Sequence, residues 1–486
     1  MKPTPTQLNL PFCTEPPPGR PLRAKGGAEN RLSPEDRAFH DWYRFVLSYP
    51  PHLVGCYMQE FGLDEHGTVL DPFCGTGTTL IEAKLRGVSS VGLEANPFAQ
   101  FASSIKTDWS IDPDALLSLA RRISESAIEL LRRQGLDDAL ECDGKLDEPM
   151  LRKLPPQAAK LLITDSISPL PLHKALVLLD CINDHQGESC YQHCLLALAN
   201  ALVFSISNLH FGPEVGVGKI KRDAPVVQPW LNAMQMMAND LRKVCGKIFP
   251  ESRAYLADAR HAGKVLQPRS IDAVITSPPY PNEKDYTRTT RLESVVLGFV
   301  KDRSDLRANK QKLIRSNTRG VYSGDDDDKW IPDQAEIDRI ANAIEERRKE
   351  LGKTSGFERL YGRVTKLYFG GMARHLAELR TVLRPGAHLA YVVGDQASYL
   401  RVMIRTGQLF AEIGQSLGYD LVRIDLFRTR FATATRQQLR EEVVILRWPG
   451  KDSRRSRPIA SRLSLDRPTI RPGDPDEQQR TLPCRN

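Results

Sequence analysis

The chain has no apolar run near the ~20 residues that a membrane-spanning helix needs. Its first residues, M-K-P-T-P-T-Q, hold no apolar signal core. Neither a membrane span nor a secretory leader is expected, and the expectation is a cytoplasmic protein. Cysteine is sparse, nine in 486 residues, which excludes a disulfide framework. His185, Cys190, His193 and Cys194 lie close together, but their spacing matches no standard zinc pairing, so no metal is expected. There is no internal repeat. No G-x-x-x-x-G-K-[ST] occurs, which disfavours a nucleoside triphosphate site.

Positive charge is present and unevenly placed. The formal net charge is +8, and residues 451–486 hold nine Lys/Arg against five Asp/Glu. Residues 284–319 hold ten against four. Such clusters contact phosphates or form solvated faces. Residues 1–37, with eight prolines by residue 35, read as a flexible arm, and 451–486 as a flexible basic tail.

Between these ends, short apolar strands alternate with helical patterns, the signature of an α/β fold with a largely parallel sheet. Candidate strands are 68–70, 90–93, 254–257, 273–276, 388–393, 421–426 and 443–446. Roughly 160 residues separate the second and third of these. Neither that gap nor the one before His388 fits a plain βα loop. The expected organisation is a core in three pieces, 38–110, 251–300 and 381–450. A mostly helical insertion at 111–250 and a basic, helical one at 301–380 interrupt it. The acidic run Asp325–Asp328 reads as a solvated loop.

Two stretches carry chemistry. Residues 71–79, D-P-F-C-G-T-G-T-T, sit between a strand and a helix. Glycines there permit positive φ and close approach of a ligand, and the helix offers free N–H groups. Glu94 ends the next strand, about 20 residues on, where an acid can bond a ribose diol. The third glycine of the dinucleotide fingerprint is missing, so a nucleoside cofactor without pyrophosphate fits better. The second stretch is T-S-P-P-Y, residues 276–280, after the apolar run 271–275. Prolines cannot continue a ladder, so it is a strand-ending turn or a rigid shelf at the ligand-binding edge.

Together these motifs resemble the S-adenosylmethionine-dependent amino-methyltransferases of DNA, which methylate cytosine N4 or adenine N6. The resemblance implies a Rossmann-like class I methyltransferase sheet with helical insertions, and S-adenosyl-L-methionine as cofactor. It places Asp71, Phe73, Gly75, Thr76, Gly77 and Thr78 at the methionine end of the cofactor. Glu94 falls at its ribose and Asn96 near its adenine ring. Asp258 meets the adenine amine, and Tyr49 and Pro50 close over the methionine moiety. Ser277, Pro278, Pro279 and Tyr280 become the catalytic shelf. An S-P-P-Y shelf leans to N4-cytosine, a D-P-P-Y shelf to adenine. The glycine loop precedes the shelf here, whereas this loop style often follows it, so motif order leaves the DNA-reading segment open.

The target amine is a poor nucleophile whose lone pair is delocalised into the ring. The Ser277 hydroxyl and Pro278 carbonyl can accept its N–H bonds, and Tyr280 can face a base flipped out of double-stranded DNA. A carbon-5 methyltransferase needs a Cys after Pro, and Pro483-Cys484 lies in the tail, away from the core. Asp285, Tyr286, Arg288 and Arg291 are candidates for the base pocket or phosphates. Arg315 and Arg319, and Lys219 and Lys221 in a Gly-rich loop, are candidates for DNA contact. The leading expectation is an N4-cytosine enzyme acting at a specific sequence, with a possible separate restriction endonuclease. Adenine N6, an RNA guanine amine, or a non-catalytic nucleic-acid-binding role are the alternatives.

Overall fold

The structure is a computed structural model that describes residues 37–44, 48–138, 151–212, 214–282, 284–432 and 437–450. The expected flexible arm and tail lie outside them, apart from Arg37. Seven strands form the central sheet: β1 Thr68–Asp71, β2 Ser89–Glu94, β5 Ser252–Leu256, β6 Ile271–Thr276, β7 Leu383–Gly394, β8 Asp420–Ala432 and β9 Gln437–Arg447. A separate hairpin, β3 Leu209–Phe211 and β4 Val215–Val217, lies in the first long gap. Strand order is β5-β2-β1-β6-β7-β9-β8. The first five are parallel, and β9 runs antiparallel between β7 and β8. All seven candidate strands exist, most of them longer than the apolar run that signalled them. This is the expected Rossmann-like sheet of the class I methyltransferase type.

Alternation along the strands explains why both faces are covered. Leu70, Val274, Leu389, Tyr391, Val393, Val444 and Leu446 point to one side, into a core with the Tyr361–Leu379 and Thr406–Ser416 helices. Their neighbours Val69, Ile275, Ala390, Val392, Val443 and Ile445 point to the other, against the Pro51–Glu60 helix. Period-two side chains that are apolar on both faces demand two helical layers.

The 111–250 segment contributes the Pro113–Arg133, Pro169–Asn183, Tyr191–Ala201 and Val227–Val244 helices. They share one apolar cluster with the Pro97–Lys106 helix, with Trp42 and Trp230 inside it. In the 301–380 segment, the Tyr361–Leu379 helix is the crossover that feeds β7, and its Leu376 and Leu379 pack on the sheet. The acidic run is not the solvated loop expected of it. Asp327 is buried between Arg260 and Arg374, and Asp325 pairs with Arg315 at 2.8 Å. Four adjacent carboxylates become tolerable where arginines from other elements neutralise two of them.

Strand order reverses between β1, whose other neighbour is β2, and β6, which leads to β7. The crevice at the carboxyl ends of these two strands is where ligands bind in open α/β sheets. Both motifs lie there.

Candidate active site

The glycine loop is held from beneath. Asp71, 0% exposed, accepts from Thr276 Oγ1 (2.5 Å), Thr79 Oγ1 (2.6 Å), the Phe73 amide (3.1 Å) and the Tyr49 hydroxyl (3.2 Å). Burial raises its carboxyl above the ordinary range, and these donors oppose the rise. Asp71 therefore ties the loop to the strand carrying the shelf, and does not itself line the cavity. Gly75 and Gly77 have φ of 51° and 88°, a region costly for residues with a Cβ. A Cβ at Gly77 would lie 2.8 Å from Ser103 Oγ, whereas one at Gly75 would meet nothing within 4 Å. Space over Gly75 is space for a ligand. Gly77 also starts the Thr78–Leu85 helix without a side-chain cap, leaving its first N–H groups to a ligand.

A lysine supports the loop from behind. Lys106 is 1% exposed, and its Nζ donates to the carbonyls of Thr76 (2.8 Å) and Tyr43 (3.0 Å). Burial pushes it down to about 7. A neutral amine has two N–H donors, one for each carbonyl. Cys74 is a buried filler that would touch a side chain at Gly92, and burial pushes its thiol well up.

Glu94 ends β2 at the cavity wall. Its two carboxylate oxygens accept from the amides of Gly75 (2.9 Å) and Asn96 (2.7 Å). Burial raises it to about 7 against those bonds. Each oxygen keeps a second lone pair, so the carboxylate can still accept from a vicinal diol. Asn96 caps the Pro97–Lys106 helix through its Oδ1, and its Nδ2 donates to Thr290. Asp258 caps a short turn and pairs with Arg260 at 2.7 Å. Both side chains line the cavity, and Asp258 has much of its acceptor capacity already engaged.

The shelf follows β6. The Ser277 hydroxyl donates to the Val392 carbonyl (3.3 Å) and lies within reach of the Tyr280 hydroxyl, and its oxygen keeps capacity to accept. Tyr280 lies against Gly394, where a Cβ would sit 2.9 Å from the ring. Its hydroxyl donates to Glu441 Oε1 at 3.3 Å, and Arg428 holds the other oxygen of Glu441. Burial, then the Glu441 charge, raise the Tyr280 phenol well above its usual value, so it stays a donor.

One cavity of about 760 Å³ joins the two motifs, a size that suits a drug-sized ligand. Tyr49, Pro50, Phe73, Gly75, Thr76, Thr78, Glu94, Asn96, Asp258 and Ser277 to Tyr280 all line it. So do Asp285 and Tyr286. Asp285 holds Lys310 at 2.7 Å, and the Tyr286 hydroxyl accepts from the Tyr280 amide at 3.4 Å. The donor set fits S-adenosylmethionine: a carboxylate for a diol, an open helix start and an uncrowded glycine. Phe73 and Tyr49 add apolar wall.

The candidate DNA cations divide. Arg315 is buried, with its guanidinium on Asp325 and the carbonyls of Lys310, Gln311 and Leu313. Arg291 bonds Thr287 and the Leu161 carbonyl, and Lys221 bonds the Ser205 carbonyl. These three serve the protein's own backbone. Arg288 has its Nε buried without a partner among the described residues, while Arg319 and Lys219 are exposed. Sequence reading passed over Lys284, Asn317, Gln396, Phe427, Arg428, Arg430 and Glu441, which line the same cavity. Their signal is topological: β8 and β9 bring the last four beside the shelf.

Comparison with known proteins agrees with this arrangement. A family model for DNA methylase of the N6/N4 type matches residues 50–103, which hold the glycine loop and Glu94. A Type II methyltransferase, M.BsoBI of Geobacillus stearothermophilus, is 25% identical over 450 residues, 85% of each chain. The Type II methyltransferase M.AvaI of Nostoc sp. is 28% identical over 194 residues, 37% of this chain and 38% of that protein. A tRNA (guanine(10)-N2)-dimethyltransferase of Methanothermobacter thermautotrophicus is 40% identical over 65 residues, 13% of this chain and 18% of its own. The chain is thus similar to DNA methylases of the N6/N4 type over residues 50–103 and to a Type II methyltransferase over most of its length.

Proposed function

We propose that this protein transfers a methyl group from S-adenosylmethionine to the exocyclic N4 amine of a cytosine flipped out of duplex DNA, at a specific sequence. The observation that carries this reading is the Asp71–Thr276 bond (2.5 Å), which fixes the glycine loop and the Ser277–Tyr280 shelf on two sides of one cavity. S-adenosylmethionine, when bound, would supply a sulfonium methyl that a neutral amine can attack, with the thioether as leaving group. Glu94 would hold its ribose diol, and the amides at the start of the Thr78–Leu85 helix its carboxylate.

The shelf does the rest. Ser277 Oγ and the Pro278 carbonyl accept from the two N–H groups of the amine, which draws the nitrogen toward sp³ and turns its lone pair to the methyl. Prolines 278 and 279 hold those acceptors without reorganisation. Tyr280, braced by Gly394 and Glu441, offers a ring face to the base. Positioning supplies most of the rate, and no covalent enzyme intermediate forms. Attack forms the N–C bond, breaks the S–C bond, and leaves a cationic nitrogen whose proton passes to solvent through these acceptors.

The cytosine assignment rests on Ser277 standing where an acid would favour adenine. A restriction endonuclease on a separate chain is part of this reading, as is a cytoplasmic setting; no helix among the described residues is long and apolar enough to cross a membrane. Single-molecule sequencing of DNA from cells expressing the chain tests it, beside a Ser277→Ala strain. A motif carrying N4-methylcytosine, lost in the variant, is expected. A motif carrying N6-methyladenine keeps the chemistry and overturns the base, while unmodified DNA overturns the reading.

A further inference from the structure

The β8–β9 pair outruns the sheet. β7 ends at Gly394, which pairs with Glu441 of β9. β8 and β9 continue pairing past that point, through Thr429↔Arg440, Arg430↔Leu439, Phe431↔Gln438 and Ala432↔Gln437. β7 and β8 are both antiparallel to β9, so they run the same way, and the extension leaves from the carboxyl edge that carries the cavity. Beyond Gly394 a two-stranded ribbon stands beside the site without a third strand among the described residues.

Its side chains are unlike those of a ribbon that only closes a sheet. Arg428 and Arg430 share the face that lines the cavity. Arg428 is spent on Glu441, the partner of Tyr280. Arg430 is exposed and makes no ion pair or hydrogen bond among the described residues. It sits near Lys284, whose charge is disfavoured by burial first and by Arg430 second, against Glu214 and Glu441. Those two acids lie near Lys284, but the Arg430 guanidinium itself has no acid on it among the described residues, and an unpaired cation at a cavity mouth suits an anion. On the opposite face, Phe431 is 59% exposed and stands across from the exposed Gln438. An isolated two-stranded ribbon is marginal in water, so a large exposed ring there adds nothing to its own stability. A two-stranded ribbon is of a width that the major groove of a DNA duplex admits.

We propose that the distal β8–β9 ribbon is the arm by which this protein grips duplex DNA, with Arg430 on a backbone phosphate beside the flipped nucleotide and Phe431 and Gln438 packed into the groove. The proposal rests on the DNA reading above, and its test separates the two. The full-length chain, with S-adenosylhomocysteine present, is titrated against a mixed-sequence 30-base-pair duplex and against single-stranded RNA of the same sequence over a salt series. Cofactor affinity by calorimetry and the melting temperature are measured in parallel.

Arg430→Ala is expected to weaken duplex binding about tenfold and to reduce the slope of log K against log salt by about one. Arg430→Lys should restore the slope. Phe431→Ala should weaken binding at an unchanged slope. All three variants should bind the cofactor and melt as the parent does. A parent that binds the duplex while Arg430→Ala keeps its affinity and slope overturns the arm and leaves the DNA reading intact. A parent that binds the RNA and not the duplex overturns both.

Discussion

Glu94 shows how one residue can couple pH to binding. Its carboxyl is raised to about 7 by burial, so ionising it costs the free protein stability. A raised acid contributes stability below its unfolded range, near 4.5, and loses that contribution as pH climbs through about 7. Two ligand hydroxyls favour the ionised form, so cofactor affinity should move the other way. Calorimetry between pH 6 and pH 8 should show S-adenosylmethionine binding tighten about tenfold, with Glu94→Gln losing that slope. Gly394 sets the other half of the site. A Cβ there would press on the Tyr280 ring from 2.9 Å. Gly394→Ala should lower kcat for methyl transfer on the order of 10²-fold. Its cofactor affinity should stay at the parent value, measured in the same calorimeter. Gly75, Gly77, Glu94 and the shelf were legible because each lies in a short motif whose residue types admit few other uses. Lys106, Gly394 and Glu441 were not, because each acts on a partner far along the chain: Glu441 lies 161 residues from Tyr280.

At the scale of elements, all seven strands could be read from alternating or continuous apolar runs. The distal extension of β8 and β9 could not, since R-T-R-F and Q-Q-L-R carry little apolar signal, and beyond each other they meet only Asp395, through Arg440, among the described backbone pairings. The acidic run misled for a related reason. Its neutralising arginines, Arg260, Arg374 and Arg315, come from three other places. Asp327 there anchors the stretch whose Ile314 to Asn317 wall the cavity, through Arg260 and Arg374. Removing one partner of a buried ionic cluster leaves the others uncompensated. Asp327→Ala should therefore cost about 3–5 kcal/mol in denaturant unfolding. Asp326→Ala, on an exposed neighbour, should change stability by less than about 0.5 kcal/mol.

On the scale of the whole molecule, a sheet covered on both faces holds two motifs, some 200 residues apart in sequence, at one edge. The long interruptions lie off the sheet's strands, and each lends the crevice part of its wall, Gly212 and Glu214 from the first and Ile314 to Asn317 from the second. Neither their packing nor their share of any DNA contact could be read from composition, because a basic run looks the same whether its arginines face solvent, as Arg319 does, or backbone carbonyls, as Arg315 does. The central claim is the reaction at the crevice. Its most direct measurement incubates the protein with duplex DNA and methyl-deuterated S-adenosylmethionine, digests the DNA to nucleosides and weighs them by mass spectrometry. The account predicts deuterated N4-methyldeoxycytidine from the parent and none from Ser277→Ala. Label confined to a carbon of the base, or none in DNA despite bound cofactor, would contradict it.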